Sequence, residues 1–152
     1  MVRVVETPSE PAQVEAIVTP KESTAMIGLS APVRFSRIGY AVLSSVFVFC
    51  ILLQVFFAGI GAFGADWSWH VTFVHFLEPL PLLMVPMAFV GRLPWGLRLL
   101  PLGFLVLIGV QYATAHAAVP AAAVHSVNAL LIFLLSLFIA GRAWAAVSGQ
   151  RG

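Results

Sequence analysis

At 152 residues the chain has room for one domain, and its composition is 61% hydrophobic and only 9% charged, against roughly 25% charged in an ordinary soluble domain. A water-soluble fold cannot hide that much apolar surface, so lipid must cover much of it. The net charge of +2 does not point to nucleic acid, because the basic residues are scattered singly at the ends of apolar runs and form no phosphate-tracking patch. Cys50 is the only cysteine, which excludes an intrachain disulfide.

Residues 1–33 carry Glu6, Glu10, Glu15 and Glu22 among Pro8, Pro11, Pro20 and Pro32, with no basic segment running into an apolar one, so they do not read as a cleaved signal peptide. Such a segment buries too little apolar area to offset its ordering entropy, and a disordered cytoplasmic tail is expected. Four stretches then approach the 20 or so apolar residues needed to cross a ~30 Å hydrocarbon core. They run about 38–63, 70–90, 95–114 and 121–140, separated by Gly64-Ala65-Asp66, by Gly91-Arg92-Leu93-Pro94, and by a segment ending at Pro120. Short connections make neighbouring helices antiparallel. The expected fold is an all-α membrane protein, a four-transmembrane-helix up-down-up-down bundle over residues 38–142.

Arg34 and Arg37 precede the first span, Arg92 and Arg98 bracket the turn between the second and third, and Arg142 and Arg151 follow the fourth. The other two connections lack lysine and arginine. The positive-inside rule therefore predicts both termini in the cytoplasm, in a cell membrane of bacterial inner-membrane type. Tyr40, Trp95 and Trp144 fall at the inner boundary and Trp67, Trp69 and Tyr112 near the outer one, as aromatic belts do.

Strongly polar side chains inside the spans cost free energy to insert and mark functional sites by default. The spans hold Gln54, His75, Glu78, Gln111, His125 and Asn128. At 1.5 Å per residue, His75 is expected about 8 Å below the outer start of the second span, with His125 at nearly the same depth in the fourth. Gln54 and Gln111 occupy the outer halves of the other two spans. A pattern repeats once per hairpin: Gln54-x-x-x-Ala58 then His75-x-x-Glu78, and Gln111-x-x-x-Ala115 then His125-x-x-Asn128. In a bundle wound in sequence order, the second and fourth helices are diagonal, so His75 and His125 can face each other across the core. That spacing suits a b-type haem taking one axial nitrogen from each side, with Gln54 or Gln111 accepting from the other ring nitrogen. Gly59, Gly61 and Gly64 would admit a bulky ring, and Phe56, Phe57, Phe73 and Phe76 could line its edges. Three other readings stay open: interhelical hydrogen bonding alone, a non-haem metal on His75, Glu78, His125 and Asn128, and a quinone site. Glu78 is expected buried and protonated, acting as a proton relay or a structural acid, while His70 and His116 are expected to be solvated at the outer interface.

The run Gln54-Val-Phe-Phe-Ala-Gly-Ile-Gly61 followed by His75, with Gln111 followed by His125, resembles the half-unit of haem A synthases and, more loosely, of b561-type cytochromes. It looks closest to an uncharacterised family of small four-span bacterial membrane proteins. The resemblance covers about residues 38–142 and implies His75 and His125 as axial ligands; no arginine follows either histidine, as one does at the ligand positions of haem A synthases.

No nucleophile–base pair, phosphate loop or zinc signature is present, which leaves three classes. The first is a redox protein or cofactor-binding subunit, alone, as a homo-oligomer or with other membrane subunits. The second is a cofactor-free accessory membrane protein. The third is a small transporter, disfavoured by the lack of a carboxylate ladder.

Overall fold

The computed structural model describes residues 28–149, and all regular structure among them is helical. Helix α1 spans Ala31–Ala62, α2 Ser68–Leu77, α3 Pro79–Val90, α4 Trp95–Ala115 and α5 Ala121–Ser148. Glu78, between α2 and α3, keeps helical torsions and its N–H still reaches the Val74 carbonyl at 3.0 Å. Together α2 and α3 form one 23-residue span, Ser68–Val90. Pro79 supplies no N–H for the His75 carbonyl, so the backbone ladder breaks there while the path continues.

Four helices are thus long and apolar enough to cross a bilayer, and only 22% of the most apolar stretch of each is buried within the protein. The rest must meet lipid, and the chain is a multi-pass membrane protein. The spans pack in a ring: α1 against α2–α3, α3 against α4, α4 against α5, and α5 back against α1. This is the expected up-down-up-down bundle, with the second and fourth spans diagonal.

The helices outrun the expected spans. α1 begins seven residues early, because Pro32 falls in its first turn where no N–H is required. α5 continues to Ser148, where Gly149 in the left-handed region ends it. The tail expected over 1–33 lies mostly outside the described residues, but Ala31–Val33 already belong to α1.

One narrow stripe of each span is buried. In α1 it runs through Tyr40, Ser44, Phe47 and Ile51; in α2–α3 through Leu77, Pro81, Met84 and Ala88; in α4 through Leu97, Pro101, Phe104 and Ile108; in α5 through Asn128, Ile132, Ser136, Ile139 and Ala143. Steps of three and four keep each stripe on one face. Phe47 and Phe104 meet across the bundle at 4.6 Å between ring centroids.

Polar ties fix the register. Pro101 has no N–H to give the Leu97 carbonyl, and the Tyr40 hydroxyl donates to that oxygen at 2.7 Å. Asn128 Nδ2 donates to the Leu107 carbonyl at 2.7 Å, and Trp144 Nε1 to Ser45 Oγ at 2.9 Å. At the end that gathers the arginines, Arg37 Nε caps the second span through the Gly91 carbonyl at 2.8 Å. A Cβ on Gly91 would lie 2.9 Å from the Met87 carbonyl oxygen and 3.3 Å from the Arg37 backbone nitrogen, so this approach requires glycine.

Tyr40→Phe should leave the Leu97 carbonyl without a donor inside the bundle and cost about 1–3 kcal/mol. Reversible unfolding in mixed micelles measures it, and an unchanged stability would mean the proline-vacated carbonyl has another partner.

Candidate functional site

Extending each buried stripe by one or two turns toward the end opposite the arginines reaches a polar residue on every span. Three residues past Ile51 is Gln54, and three past Ile108 is Gln111. Three before Asn128 is His125, and seven before Leu77 is His70. Farther in, the stripes are mostly apolar, with Ser44, Asn128 and Ser136 as their buried polar residues.

The four residues form two pairs that share one contact, an imidazole on the backbone carbonyl of a glutamine. His70 Nδ1 lies 3.1 Å from the Gln54 backbone oxygen, while Gln54 Nε2 donates to the His70 backbone oxygen at 2.9 Å. His125 Nδ1 lies 3.1 Å from the Gln111 backbone oxygen, with Thr114 Oγ1 at 3.5 Å. A carbonyl only accepts, so in the neutral ring Nδ1 carries the proton and Nε2 keeps its lone pair. Neither Nε2 has a hydrogen-bond partner among the described residues. The two rings face each other with centroids 6.4 Å apart and planes 51° apart.

This layer is loosely closed. Helix α2 packs on α1 and meets α3 end to end, but makes no close backbone approach to α4 or α5. The side-chain oxygens Gln54 Oε1 and Gln111 Oε1 are buried and without a partner. Trp67 stands edge-on to the His70 ring at 5.6 Å between centroids, and Phe57 contacts Phe73 and Trp69. A Cβ on Gly61 would sit 2.8 Å from the Trp67 ring, so Gly61 seats this tryptophan, whereas nothing lies within 4 Å of a Cβ on Gly59.

Several sequence expectations are corrected here. His75 does not face His125: it lies five residues beyond His70, about 140° around the helix, on the lipid side, with Nδ1 3.6 Å from Glu78 Oε2. The residue opposite His125 is His70, which was expected at the solvated interface. Counting back seven residues from the buried Leu77 would have found it. His116 caps the end of α4 and is exposed, as expected. Glu78 is partly exposed and accepts from the Tyr112 hydroxyl, while Asn128 spends its amide on the Leu107 carbonyl. Among the described residues, no three His, Cys, Asp or Glu side chains converge as a metal site, so the set His75, Glu78, His125 and Asn128 does not assemble. Phe56 and Phe76 are exposed, and Phe57 and Phe73 are half-buried against each other.

The turn before α2 positions His70. Asp66 Oδ1 accepts the Ser68 N–H at 3.0 Å and Oδ2 accepts the Ser68 hydroxyl. The Ser68 hydroxyl first, and then its amide, hold the Asp66 carboxyl below the usual aspartate range. The folded state thus favours the carboxylate, so this contribution is present above the ordinary aspartate pKa and is lost as pH falls through the depressed one. Asp66→Ala should lower the thermal midpoint at pH 7. The gap from the parent should close on acidification; a gap that stays constant into strong acid would refute the carboxylate tie.

Residues 54–118 match a family of unknown function (DUF6220). The match covers fewer than half of the 152 residues and holds Gln54, His70, Glu78 and Gln111 but stops before His125. No curated protein and no solved structure matches the chain, so the likeness to haem A synthases and b561-type cytochromes receives no support from these comparisons.

Proposed function

We propose that this membrane protein holds a b-type haem between His70 and His125 and serves as an electron carrier or as a redox-complex subunit. The observation that carries the reading is the pair of facing imidazoles, each with Nδ1 tied to a backbone carbonyl and Nε2 left over. An imidazole nitrogen binds a metal at about 2 Å. With the ring centroid a little over 1 Å further back, two imidazoles on opposite sides of one ion stand about 6.3 Å apart, close to the 6.4 Å found. A bare ion would need more protein ligands than two histidines supply. Haem brings four nitrogens of its own and asks only for two axial ones.

The chain's own residues prepare that position. The Gln54 and Gln111 carbonyls fix the tautomer and aim of each ring and raise its basicity. Helix α2 makes no close backbone approach to the α4–α5 pair, and Phe57 and Phe73 pack on each other between the first two spans. When bound, haem would supply one-electron transfer.

The arginine-bearing end faces the cytoplasm in this reading, by the positive-inside rule. The histidine layer then lies near the outer face of a bacterial inner membrane.

Two measurements test the proposal. Protein purified from haem-replete cells should be red, with sharp α and β bands in its reduced-minus-oxidised spectrum. His70→Ala and His125→Ala should each lose at least nine-tenths of the haem or turn it high-spin, whereas His75→Ala and His116→Ala keep the spectrum. A colourless but folded protein would overturn the reading in favour of a cofactor-free accessory protein. Separately, reporters fused after residues 66, 93, 118 and 150 should read outside, inside, outside, inside; the reverse pattern would place the histidine layer on the cytoplasmic side.

A further inference from the structure

Away from the histidine pair, a second polar group faces lipid. The side chain of His75 is 63% exposed and that of Glu78 30%, and Tyr112 is 51% exposed. Helical side chains lean toward their own N-terminus, so in these antiparallel spans Glu78 leans toward the histidine end and Tyr112 away from it. The two meet, and the Tyr112 hydroxyl donates to Glu78 Oε1. Glu78 lies ten residues, about 15 Å, along the helix from Ser68, and its carboxyl leans back to meet Tyr112, so the group sits inside a ~30 Å hydrocarbon core, in the half nearer the histidine end. A carboxyl, an imidazole and a phenol turned toward lipid at that depth are costly, and groups kept there at such a cost mark a functional site.

The cluster is incomplete in one place. Glu78 Oε2 has no hydrogen-bond partner among the described residues. His75 Nδ1 stands 3.6 Å from it, too far for a hydrogen bond yet close enough for one oxygen atom to bridge both. A hydroxyl both donates and accepts: it can give its proton to Oε2 and accept from the imidazole N–H. We propose that Glu78 Oε2 and His75 form a binding site, open to the bilayer, for the hydroxyl of a lipid-soluble hydroquinone.

Tyr112 provides the template, since a phenol already occupies one carboxyl oxygen of Glu78 and the equivalent oxygen is open. The occupant has to arrive through the hydrocarbon, because the site opens on it. A phospholipid headgroup does not reach that depth, and its phosphate would meet a carboxyl group. A hydroquinone ring on an alkyl chain is apolar enough to dissolve there and carries the phenolic donor. The site uses no atom of the His70–His125 pair, so it stands or falls separately from the haem reading.

The test uses the full-length protein in phosphatidylcholine nanodiscs with a photoreactive decyl-benzohydroquinone under reducing conditions, adducts being mapped by mass spectrometry. Adducts should concentrate in residues 75–78 and around 112. Unlabelled decyl-benzohydroquinone should compete and a long-chain aliphatic alcohol should not. Glu78→Gln leaves an acceptor for Tyr112 but puts an amide donor where Oε2 was, and should cut labelling at least ten-fold. His75→Ala, at an exposed position that the fold does not use, should cut it several-fold, so the prediction remains testable if Glu78→Gln misfolds. His70→Ala should label like the parent even if it loses haem. Labelling spread evenly along the lipid face, indifferent to both substitutions, or equally competed by the alcohol would overturn the proposal. So would cross-links at residues 75–78 showing that a second copy of the chain covers this face.

Discussion

Lipid tails are as apolar as leucine, so once these helices are in the bilayer no further hydrophobic gain draws them together. What selects the inward face of each span is close packing and the need to satisfy backbone polar groups away from water. Prolines inside the spans make that need acute, since each removes a donor from the helical ladder. At Pro101 the consequence is visible: the released Leu97 carbonyl is taken up by Tyr40 from another span, beside the Phe47–Phe104 contact. The core therefore forms around a vacancy in one helix filled by a side chain of another, and the four stripes converge on that register.

The opposite end is organised differently. There the stripes continue into Gln54, His70, Gln111 and His125, whose hydrogen bonds run between consecutive spans and not across the diagonal. Each hairpin is tied internally by a histidine on the carbonyl of a glutamine from the preceding span. The two hairpins are left facing each other through imidazole rings and two unpartnered glutamine oxygens. A structural core has no use for such a layer, because unpaired acceptors in a low-dielectric interior cost stability. Gln54 Oε1 and Gln111 Oε1 are acceptors, so a partner for them has to bring a donor. Trp67 seated on Gly61 and the Asp66–Ser68 turn hold the start of α2 so that His70 points inward.

The Glu78–Tyr112 bond belongs to neither region. It joins the second and third spans at the lipid boundary, where α2 gives way to α3 and Pro79 interrupts the ladder. His75 lies exposed beside them, 3.6 Å from Glu78 Oε2.

The number of spans, their order and their antiparallel course were legible in composition and turn chemistry, because length and apolarity alone decide whether a helix crosses hydrocarbon. So was the existence of a polar layer made by one residue from each span, including Gln54, Gln111 and His125. The identity of the fourth member was not. His70 and His75 stand five residues apart on one span, and depth estimates alone favoured the deeper one. Which of them turns inward depends on the helix's rotation about its own axis, set by Leu77, Pro81 and Met84 packing against neighbouring spans. The repeat read along the chain, with Glu78 matched to Asn128, dissolved for the same reason, since Glu78 reaches Tyr112 at the lipid boundary and Asn128 is buried on the Leu107 carbonyl. The true correspondence, Gln54 with His70 and Gln111 with His125, crosses between helices. Hydropathy and length determine how deep a residue lies; only the packed bundle decides which way it faces.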